Sequence, residues 1–256
     1  MKRLVARLWQ WAHVLGMDET RCVHCHAPVS THADAPHHPP ELGPGGSRAP
    51  LCACCAEQLA PYTGPRCPLC GEPGPYTTAA QCPQCHGQHQ GWDAVAFYGL
   101  YEGALRDALL RFKFDGELAQ GPFLAACLLQ AAHCLPRPHV LTAIPQHPKR
   151  LRQRGFNQAH ELARQLAAAS GFPLSARLLA RTQAGPLQHT LTGAARRNNV
   201  QGVFAASPEG RGQSVWLVDD IMTTGATLAA AALALKAAGA AHVACLVVGR
   251  TAKVSP

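Results

Sequence analysis

The residues most able to do chemistry lie at positions 215–228. Four mostly apolar residues at 215–218 predict a buried strand, and the Ala-rich run that follows Thr227 predicts a helix. Asp219 and Asp220 come between them, followed by a loop of Thr, Thr, Gly, Ala and Thr. Backbone N–H groups, hydroxyls and the helix dipole all attract an anion at such a position. The loop therefore predicts a phosphate site.

The two carboxylates predict a second part of the same ligand. Asp219 and Asp220 would repel a phosphate placed beside them, and they suit sugar hydroxyls or a divalent cation held through water. A ligand with a ribose at one end and a phosphate at the other matches both halves. The alternative is an ordinary strand–turn–helix, which would leave the adjacent carboxylates and the hydroxyl-rich loop unexplained.

This stretch resembles the phosphoribosyl-pyrophosphate (PRPP) signature of the type I phosphoribosyltransferases. The resemblance implies that Asp219 and Asp220 act in catalysis and hold the ribose hydroxyls, and that Mg²⁺ accompanies PRPP. It also implies that the loop binds the 5′-phosphate through Thr223, Thr224, Gly225, Ala226 and Thr227. Enzymes that act on 6-oxopurines carry Asp where this chain has Thr223, and Thr cannot accept a proton near neutral pH. A hypoxanthine or guanine acceptor is therefore disfavoured.

A basic segment at 149–158 offers further contacts to an anion. Four cations lie within six positions, followed by Gly-Phe-Asn-Gln, between a predicted strand and a predicted helix. Because guanidinium forks and ammonium groups bind phosphates, we expect Lys149 and Arg150 to face the pyrophosphate and Arg154 to act in catalysis. The alternative is a solvated basic turn.

The polar segment that runs from Arg181 towards Phe204 is interpreted as a lid. It could close over the ligand and exclude water, with Arg196 contributing to the pyrophosphate site. The alternative is a simple connecting loop.

Eight of the 12 cysteines form four Cys-x-x-Cys pairs. This spacing lets two thiolates of one knuckle bind one zinc ion, and four knuckles make two closed, structural sites. A zinc hydrolase would need an open site, and redox motifs seldom come in fours, so both alternatives are disfavoured. Sequential pairing is the simpler topology, interleaved pairing stays open, and one or two zinc ions are expected. The predicted ligands are Cys22, Cys25, Cys52, Cys55, Cys67, Cys70, Cys82 and Cys85.

The other four cysteines have no predicted ligand role. Cys54 is an extra thiol beside Cys55, and Cys127, Cys134 and Cys245 lie in apolar segments typical of an inert core.

Composition changes near residue 91 and predicts two domains. Residues 1–90 are expected to form an N-terminal amphipathic helix and a double zinc ribbon. Residues 91–256 are expected to form an α/β domain of the type I phosphoribosyltransferase class, a mostly parallel sheet with flanking helices. We predict strands at 94–98, 140–144, 177–180, 203–205, 215–218 and 242–248, and helices at 102–114, 157–169 and 226–238.

Charge and hydropathy restrict the partners. The formal net charge is +8, and residues 1–90 contain six basic and six acidic side chains, so the excess lies in residues 91–256. Anionic small molecules or nucleic acid would account for it. The chain has no apolar run long enough to span a membrane and no signal-peptide pattern, which favours the cytoplasm.

The order of the motifs narrows the resemblance to the ComF/GntX family, over nearly the whole chain. The zinc ribbons are followed by Leu-Arg-Phe-Lys-Phe at 110–114, Arg-Gly-Phe-Asn-Gln at 154–158, Gln188-x2-Leu191, Arg196-x2-Asn199 and the Asp-Asp loop. The family is associated with DNA uptake and competence, which implies single-stranded DNA and competence-machinery proteins as partners.

We therefore predict a protein that binds PRPP with Mg²⁺ and transfers the phosphoribosyl group to an acceptor that the sequence does not identify. The alternative is a non-catalytic competence factor that senses PRPP or a nucleotide and binds single-stranded DNA. Such binding needs exposed aromatic rings. The candidates are mostly interpreted as core residues: Trp92, Phe97, Tyr98, Tyr101, Phe112 and Phe114.

Overall fold

The computed structural model describes residues 20–29, 50–85, 90–115, 117–182 and 202–252. The predicted N-terminal helix, Arg196 and most of the predicted lid lie outside these residues. Among the described helices, none combines the length and the apolar character needed to cross a membrane.

The centre of the molecule is a four-stranded parallel sheet in the order β1-β6-β5-β2. A separate antiparallel pair joins β3 to β4. The strands are β1 Ala94–Leu100, β2 Val140–Ala143, β3 Leu179–Arg181, β4 Phe204–Ala206, β5 Ser214–Met222 and β6 His242–Arg250. Each of the six predicted strands is present, and β5 and β6 are longer than predicted.

The α-helices of the described residues are α1 Ala53–Gln58, α2 Gly103–Leu110, α3 Gly121–Ala131, α4 Pro148–Arg154, α5 Gln158–Ser170 and α6 Ala226–Ala237. A π-helical turn, Arg111–Asp115, continues α2. Helices α3 and α5 pack on each other and on the sheet, and α6 packs against β4, β5 and β6. The predicted α/β class, with helices flanking a parallel sheet, is confirmed.

Helix α4 corrects the interpretation of the basic segment as a loop. Pro148 occupies its first turn, the His147 side chain accepts a hydrogen bond from the Lys149 N–H at 3.1 Å, and Gly155 ends it with a φ of 78°. These are ordinary start and stop signals of a helix. In the sequence, the dense positive charge between them obscures these signals.

Helix α3 was also absent from the sequence-based prediction. Seven of its eleven residues are buried, because it packs against α5, β1 and β6 at once. A helix enclosed in this way shows no amphipathic stripe, so its periodicity gives little signal.

The cysteine-rich region packs directly on the edge strand β1. The Tyr98 hydroxyl donates to the Leu59 carbonyl at 2.6 Å, and the Tyr62 N–H donates to the Tyr98 carbonyl at 2.8 Å. The Arg66 guanidinium lies over the Phe97 ring at 4.9 Å. These contacts give the cysteine-rich region and the sheet a common core, and the domain boundary at residue 90 stays a proposal based on composition.

Candidate functional site

The acidic pair lies inside β5, not beyond its end as the sequence suggested. Strand β5 continues to Met222 because β6 pairs with it as far as Arg250. Asp219 and Asp220 are therefore held on rigid backbone near the carboxyl end of the sheet, where ligands of parallel α/β sheets bind.

Both carboxylates are partly shielded from bulk water, because Asp219 is half-buried and Asp220 is buried. Asp220 is 8% exposed, and its N–H donates to Asp219 Oδ1 at 2.9 Å. Burial, together with the neighbouring charge of Asp220, raises the pKa of Asp219 well above its usual range. Such a pair readily accepts hydroxyl donors or a cation, since either relieves the repulsion between the carboxylates.

Lys113 is a site residue that the sequence analysis quoted in a motif but did not select. Its ammonium lies 2.9 Å from Asp220 Oδ2, with only 19% of the lysine side chain exposed. The π-helical turn carries Lys113, and the Gln158 amide donates to the Lys113 carbonyl at 3.3 Å. The available signal was a pair of cations, Arg111 and Lys113, alternating with apolar residues at 110–114. The structure adds that Lys113 lies in a π-helical turn, a feature often found at functional sites.

The candidate phosphate loop, residues 223–227, joins β5 to α6. Thr223, Thr224 and Thr227 are exposed, and Gly225 has a φ of 78°. A Cβ at Gly225 would lie 2.6 Å from the Met222 methyl carbon and 3.1 Å from the Trp92 ring, so only glycine fits. The loop thus presents hydroxyls at the N-terminus of a twelve-residue helix, an arrangement suited to an anion.

The cations of α4 divide into two groups. Lys149 and Arg150 are exposed, whereas Arg154 is half-buried with its guanidinium 4.8 Å above the Phe114 ring. Arg154 Nη1 also donates to Gln158 Oε1 at 3.4 Å. Phe114 is next to Lys113 in the sequence, and Lys113 pairs with Asp220. Arg154 therefore lies in the same region as the acidic pair.

Arg181 and Phe114 differ from what the sequence suggested. Arg181 is the last residue of β3, and burial and the charge of Arg150 lower the pKa of its guanidinium. Phe114 is 63% exposed and is the exception among six aromatic residues that were mostly interpreted as core. Trp92, Phe97, Tyr98 and Phe112 are buried as predicted, and Tyr101 is half-buried.

The eight predicted metal ligands form two clusters by sequential pairing. The first cluster contains Cys22, Cys25, Cys52 and Cys55, and the second contains Cys67, Cys70, Cys82 and Cys85. In each cluster the ligand atoms lie within 4.8 Å of one another. The interleaved pairing that the sequence left open does not occur.

The sulfur–sulfur distances fit a tetrahedral metal site. They are 3.6 Å for Cys25–Cys52, 3.8 Å for Cys67–Cys85 and 3.7 Å for Cys70–Cys82. Thiolates about 2.3 Å from a zinc ion form a tetrahedron with edges of roughly 3.8 Å. A disulfide would bring the sulfurs to about 2.05 Å. Either cluster can therefore hold zinc.

The acidities of the thiols also favour a cation. Burial raises the pKa of Cys70 to about 12. Burial also opposes ionisation of Cys22, but three backbone N–H groups outweigh it and lower the pKa of Cys22 to about 7. Thiols crowded in this way cannot all ionise without a positive charge between them.

The remaining cysteines follow the prediction with one exception. Cys127 and Cys245 are buried, whereas Cys134 is exposed and is not a core residue. Cys54 is exposed outside the first cluster, and its sulfur accepts from the Gln58 amide at 3.3 Å.

The chain is similar to known proteins over its C-terminal half and, for one relative, over most of its length. The family model described as "Phosphoribosyl transferase domain" matches residues 151–254. "Competence protein F" of Haemophilus influenzae is 29% identical over 219 residues, which cover 81% of this chain and 87% of that protein.

Two further relatives match over a shorter length. "DNA utilization protein YhgH" of Salmonella typhi is 33% identical over 140 residues, 52% of this chain and 61% of that protein. "Competence protein ComFC" of Bacillus subtilis is 33% identical over 144 residues, 55% of this chain and 57% of that protein. These similarities, the sheet architecture and the two four-cysteine clusters fit the ComF family, in which a cysteine-rich zinc ribbon accompanies a phosphoribosyltransferase domain.

Proposed function

We propose that this protein binds PRPP with Mg²⁺ in the cytoplasm and transfers its phosphoribosyl group to an acceptor during the handling of DNA in competence. One observation carries the proposal: a half-buried to buried acidic pair near the carboxyl end of β5 is followed by an exposed, hydroxyl-rich loop at the N-terminus of α6, within the region that matches the phosphoribosyltransferase model. The names of the relatives support the link to competence.

Each part of the site suits one part of PRPP. The candidate phosphate loop would wrap the 5′-phosphate, and Asp219 and Asp220 would accept hydrogen bonds from the ribose hydroxyls. Lys149, Arg150 and Arg154 would contact the pyrophosphate, with Arg196 added from the segment outside the described residues. Asp219 and Asp220 could hold Mg²⁺ through water, and the ion would supply a divalent charge to the site when bound.

Departure of pyrophosphate leaves positive charge on the ribose, so charge stabilisation would provide most of the catalysis. The carboxylates of Asp219 and Asp220 would stabilise the ribose, and the cations of α4 would stabilise the leaving pyrophosphate. Lys113 keeps the acidic pair partly neutralised before the ligand arrives.

Zinc in the two cysteine clusters would be structural. Closed four-thiolate sites leave no open position for a substrate, and their binding energy contributes to folding. The twelve free thiols are consistent with a reducing compartment.

Calorimetric titration of PRPP with Mg²⁺ into the zinc-loaded protein tests the proposal. We expect saturable binding that disappears in the double variant Asp219→Asn, Asp220→Asn and persists in Asp107→Asn, an exposed residue of α2. Release of pyrophosphate with one of a panel of bases or with single-stranded DNA would identify the acceptor. Unaltered PRPP binding in the double variant would reject the site.

A second candidate function is non-catalytic recognition of single-stranded DNA, with PRPP or a nucleotide as a sensed ligand. The exposed Phe114 ring next to Arg154, together with the exposed cations of α4, favours it. Bases stack on exposed aromatic rings, and nearby cations bind the phosphates.

Fluorescence anisotropy with a labelled single-stranded oligonucleotide tests this function. Affinity should fall steeply with salt and should weaken in Phe114→Ala, whereas Leu118→Ala, another exposed apolar side chain, serves as the control. PRPP binding without pyrophosphate release would favour this function, and salt-insensitive or absent DNA binding would remove it.

A further inference from the structure

A buried ion pair connects the second cysteine cluster to the candidate phosphate loop. Arg250 is the last residue of β6, and its Nη2 lies 2.6 Å from Glu72 Oε2. The two side chains are only 2% and 5% exposed. Glu72 follows the ligand Cys70 by two residues, so the pair joins the zinc ribbon to the carboxyl end of the sheet.

The position of Glu72 is set by the turn of the second cluster. The Cys67 N–H donates to the Glu72 carbonyl at 2.8 Å, and the Gly71 N–H donates to the Cys67 carbonyl at 3.0 Å. Gly71 has a φ of 68°, and a Cβ there would lie 3.2 Å from the Phe97 ring. The carboxylate of Glu72 therefore points to Arg250 only while this turn keeps its fold.

The other end of the connection reaches the loop. Arg250 Nη1 donates to Met222 Sδ at 2.8 Å, and the Thr251 N–H donates to the Met222 carbonyl at 3.0 Å. Met222 immediately precedes the loop, and its methyl carbon lies 2.6 Å from the position that a Cβ at Gly225 would occupy. The methionine side chain thus packs beneath the loop at the point where its backbone turns.

Arg250 depends on Glu72 for its position. The guanidinium is almost fully buried, and its Nε has no acceptor among the described residues. A buried cation that loses its counter-ion must move towards another partner or towards water. Because Arg250 holds the Met222 sulfur with the same planar group, such a movement would disturb the support of the loop.

We propose that Glu72 is a positioning residue for the candidate phosphate loop and acts through Arg250 and Met222. The fold of the second cysteine cluster then sets the affinity of the loop for the phosphate of its ligand. The effect on phosphate affinity rests on the proposed function, whereas the effect of Glu72 on the position of Met222 does not.

Met222 provides a probe that needs no ligand. The chain contains three methionines, and Met1 and Met17 lie far from β5 in sequence, so ¹³C-methyl-methionine NMR gives a simple spectrum in which Met222→Leu assigns the signal. We expect Glu72→Gln to move or broaden the Met222 methyl resonance. We also expect it to weaken PRPP binding roughly tenfold, a typical size for a change in coupling between sites.

Glu161→Gln is the matched control. It makes the same chemical change in an ion pair with the same separation, 2.6 Å, but on the exposed face of α5. Both the Met222 resonance and the PRPP affinity should remain as in the parent protein. A purely structural role of Glu72 would lower the thermal midpoint of its variant without moving the Met222 resonance or the affinity.

An unchanged Met222 resonance in folded Glu72→Gln would overturn the proposal, and so would an unchanged affinity in a protein that binds PRPP. If Glu72→Gln does not fold, Glu72→Asp keeps the charge and retracts it by one methylene. That variant should shift the Met222 resonance in a zinc-loaded, folded protein, and the absence of a shift would overturn the proposal. If the parent protein does not bind PRPP, the proposed function fails while the NMR result still decides the role of Glu72.

Discussion

The two cysteine clusters have the same four ligands and the same Cys-x-x-Cys spacing within each pair, yet they are placed very differently. All four cysteines of the second cluster are buried, whereas Cys25 of the first is exposed and Cys52 is half-buried. The second cluster contacts the sheet through Glu72 and Arg250, a buried pair of charges. The first is held through neutral carbonyls: Gln120 donates to the Val23 carbonyl at 2.7 Å, and Arg111 donates to that of His24.

This difference shows that the ligand pattern of a metal-binding motif does not determine how the motif is attached to the rest of the fold. A thiolate cluster can stabilise its own turn wherever it lies, but only contacts outside the cluster connect it to a distant site. The first cluster connects to the π-helical turn that carries Lys113, and the second connects to the residue that precedes the phosphate loop. Each half of the candidate site is therefore connected to one cluster through intermediate residues.

The largest expected effect is the loss of a ligand from the second cluster. Cys70→Ala leaves three buried thiols without a complete metal site, and we expect zinc loss and a destabilisation of several kcal/mol. Cys25→Ala should cost less, because Cys25 is exposed. Thermal unfolding with zinc analysis measures both, and equal destabilisation would remove the distinction between the clusters. Full chelation should expose residues 20–85 to protease before the sheet.

The next effect concerns how each cluster is attached. Glu72→Gln leaves Arg250 buried without a counter-ion and should destabilise the protein by about 3 kcal/mol. Gln120→Met removes a neutral hydrogen bond to the first cluster and should cost about 1 kcal/mol. Chemical denaturation gives both values. If Gln120→Met proves the more costly, the charged attachment is not the stronger one.

Lys113→Met would test how the π-helical turn, which is connected to the first cluster, acts on the acidic pair. Burial and Asp220 raise the pKa of Asp219, and Lys113 partly offsets them. Without the ammonium, the pH below which PRPP binding is lost should rise by about one unit. Calorimetry across pH measures the shift. Lys236→Met, which breaks an ion pair of 2.7 Å with Asp93, is the control and should leave the profile in place.

The smallest effect is the pH dependence of stability caused by Asp219. A carboxyl whose pKa is raised on folding favours the folded state when protonated, so its contribution is complete below the ordinary Asp pKa and is lost as pH rises through the raised value. Asp219→Asn should therefore raise the thermal midpoint at neutral pH and leave it nearly unchanged in acid. A midpoint difference that does not vary with pH would contradict the raised pKa.

Local patterns in the sequence predicted much of this fold. Runs of apolar residues located the four strands of the parallel sheet, because a strand buried on both faces needs no partner to reveal its composition. The true extent of β5 was missed, since pairing with β6 carries the strand through polar residues as far as Met222. The turn between β5 and α6 was visible as well, because Gly225 and the hydroxyls around it are contiguous.

The sequence by itself determined the four Cys-x-x-Cys pairs, the parallel α/β class and the position of the Asp-Asp loop, since each depends on residues a few positions apart, whereas the structure decided which pairs share a cluster. Only the tertiary structure decided which distant groups act on them. Lys113 reaches Asp220, and Arg250 reaches Glu72 across 178 positions, because the sheet order and the docking of the ribbon bring those side chains together. Because a buried charge without a counter-ion costs free energy, each of these groups needs its partner, and no local sequence pattern predicts which residue that partner is.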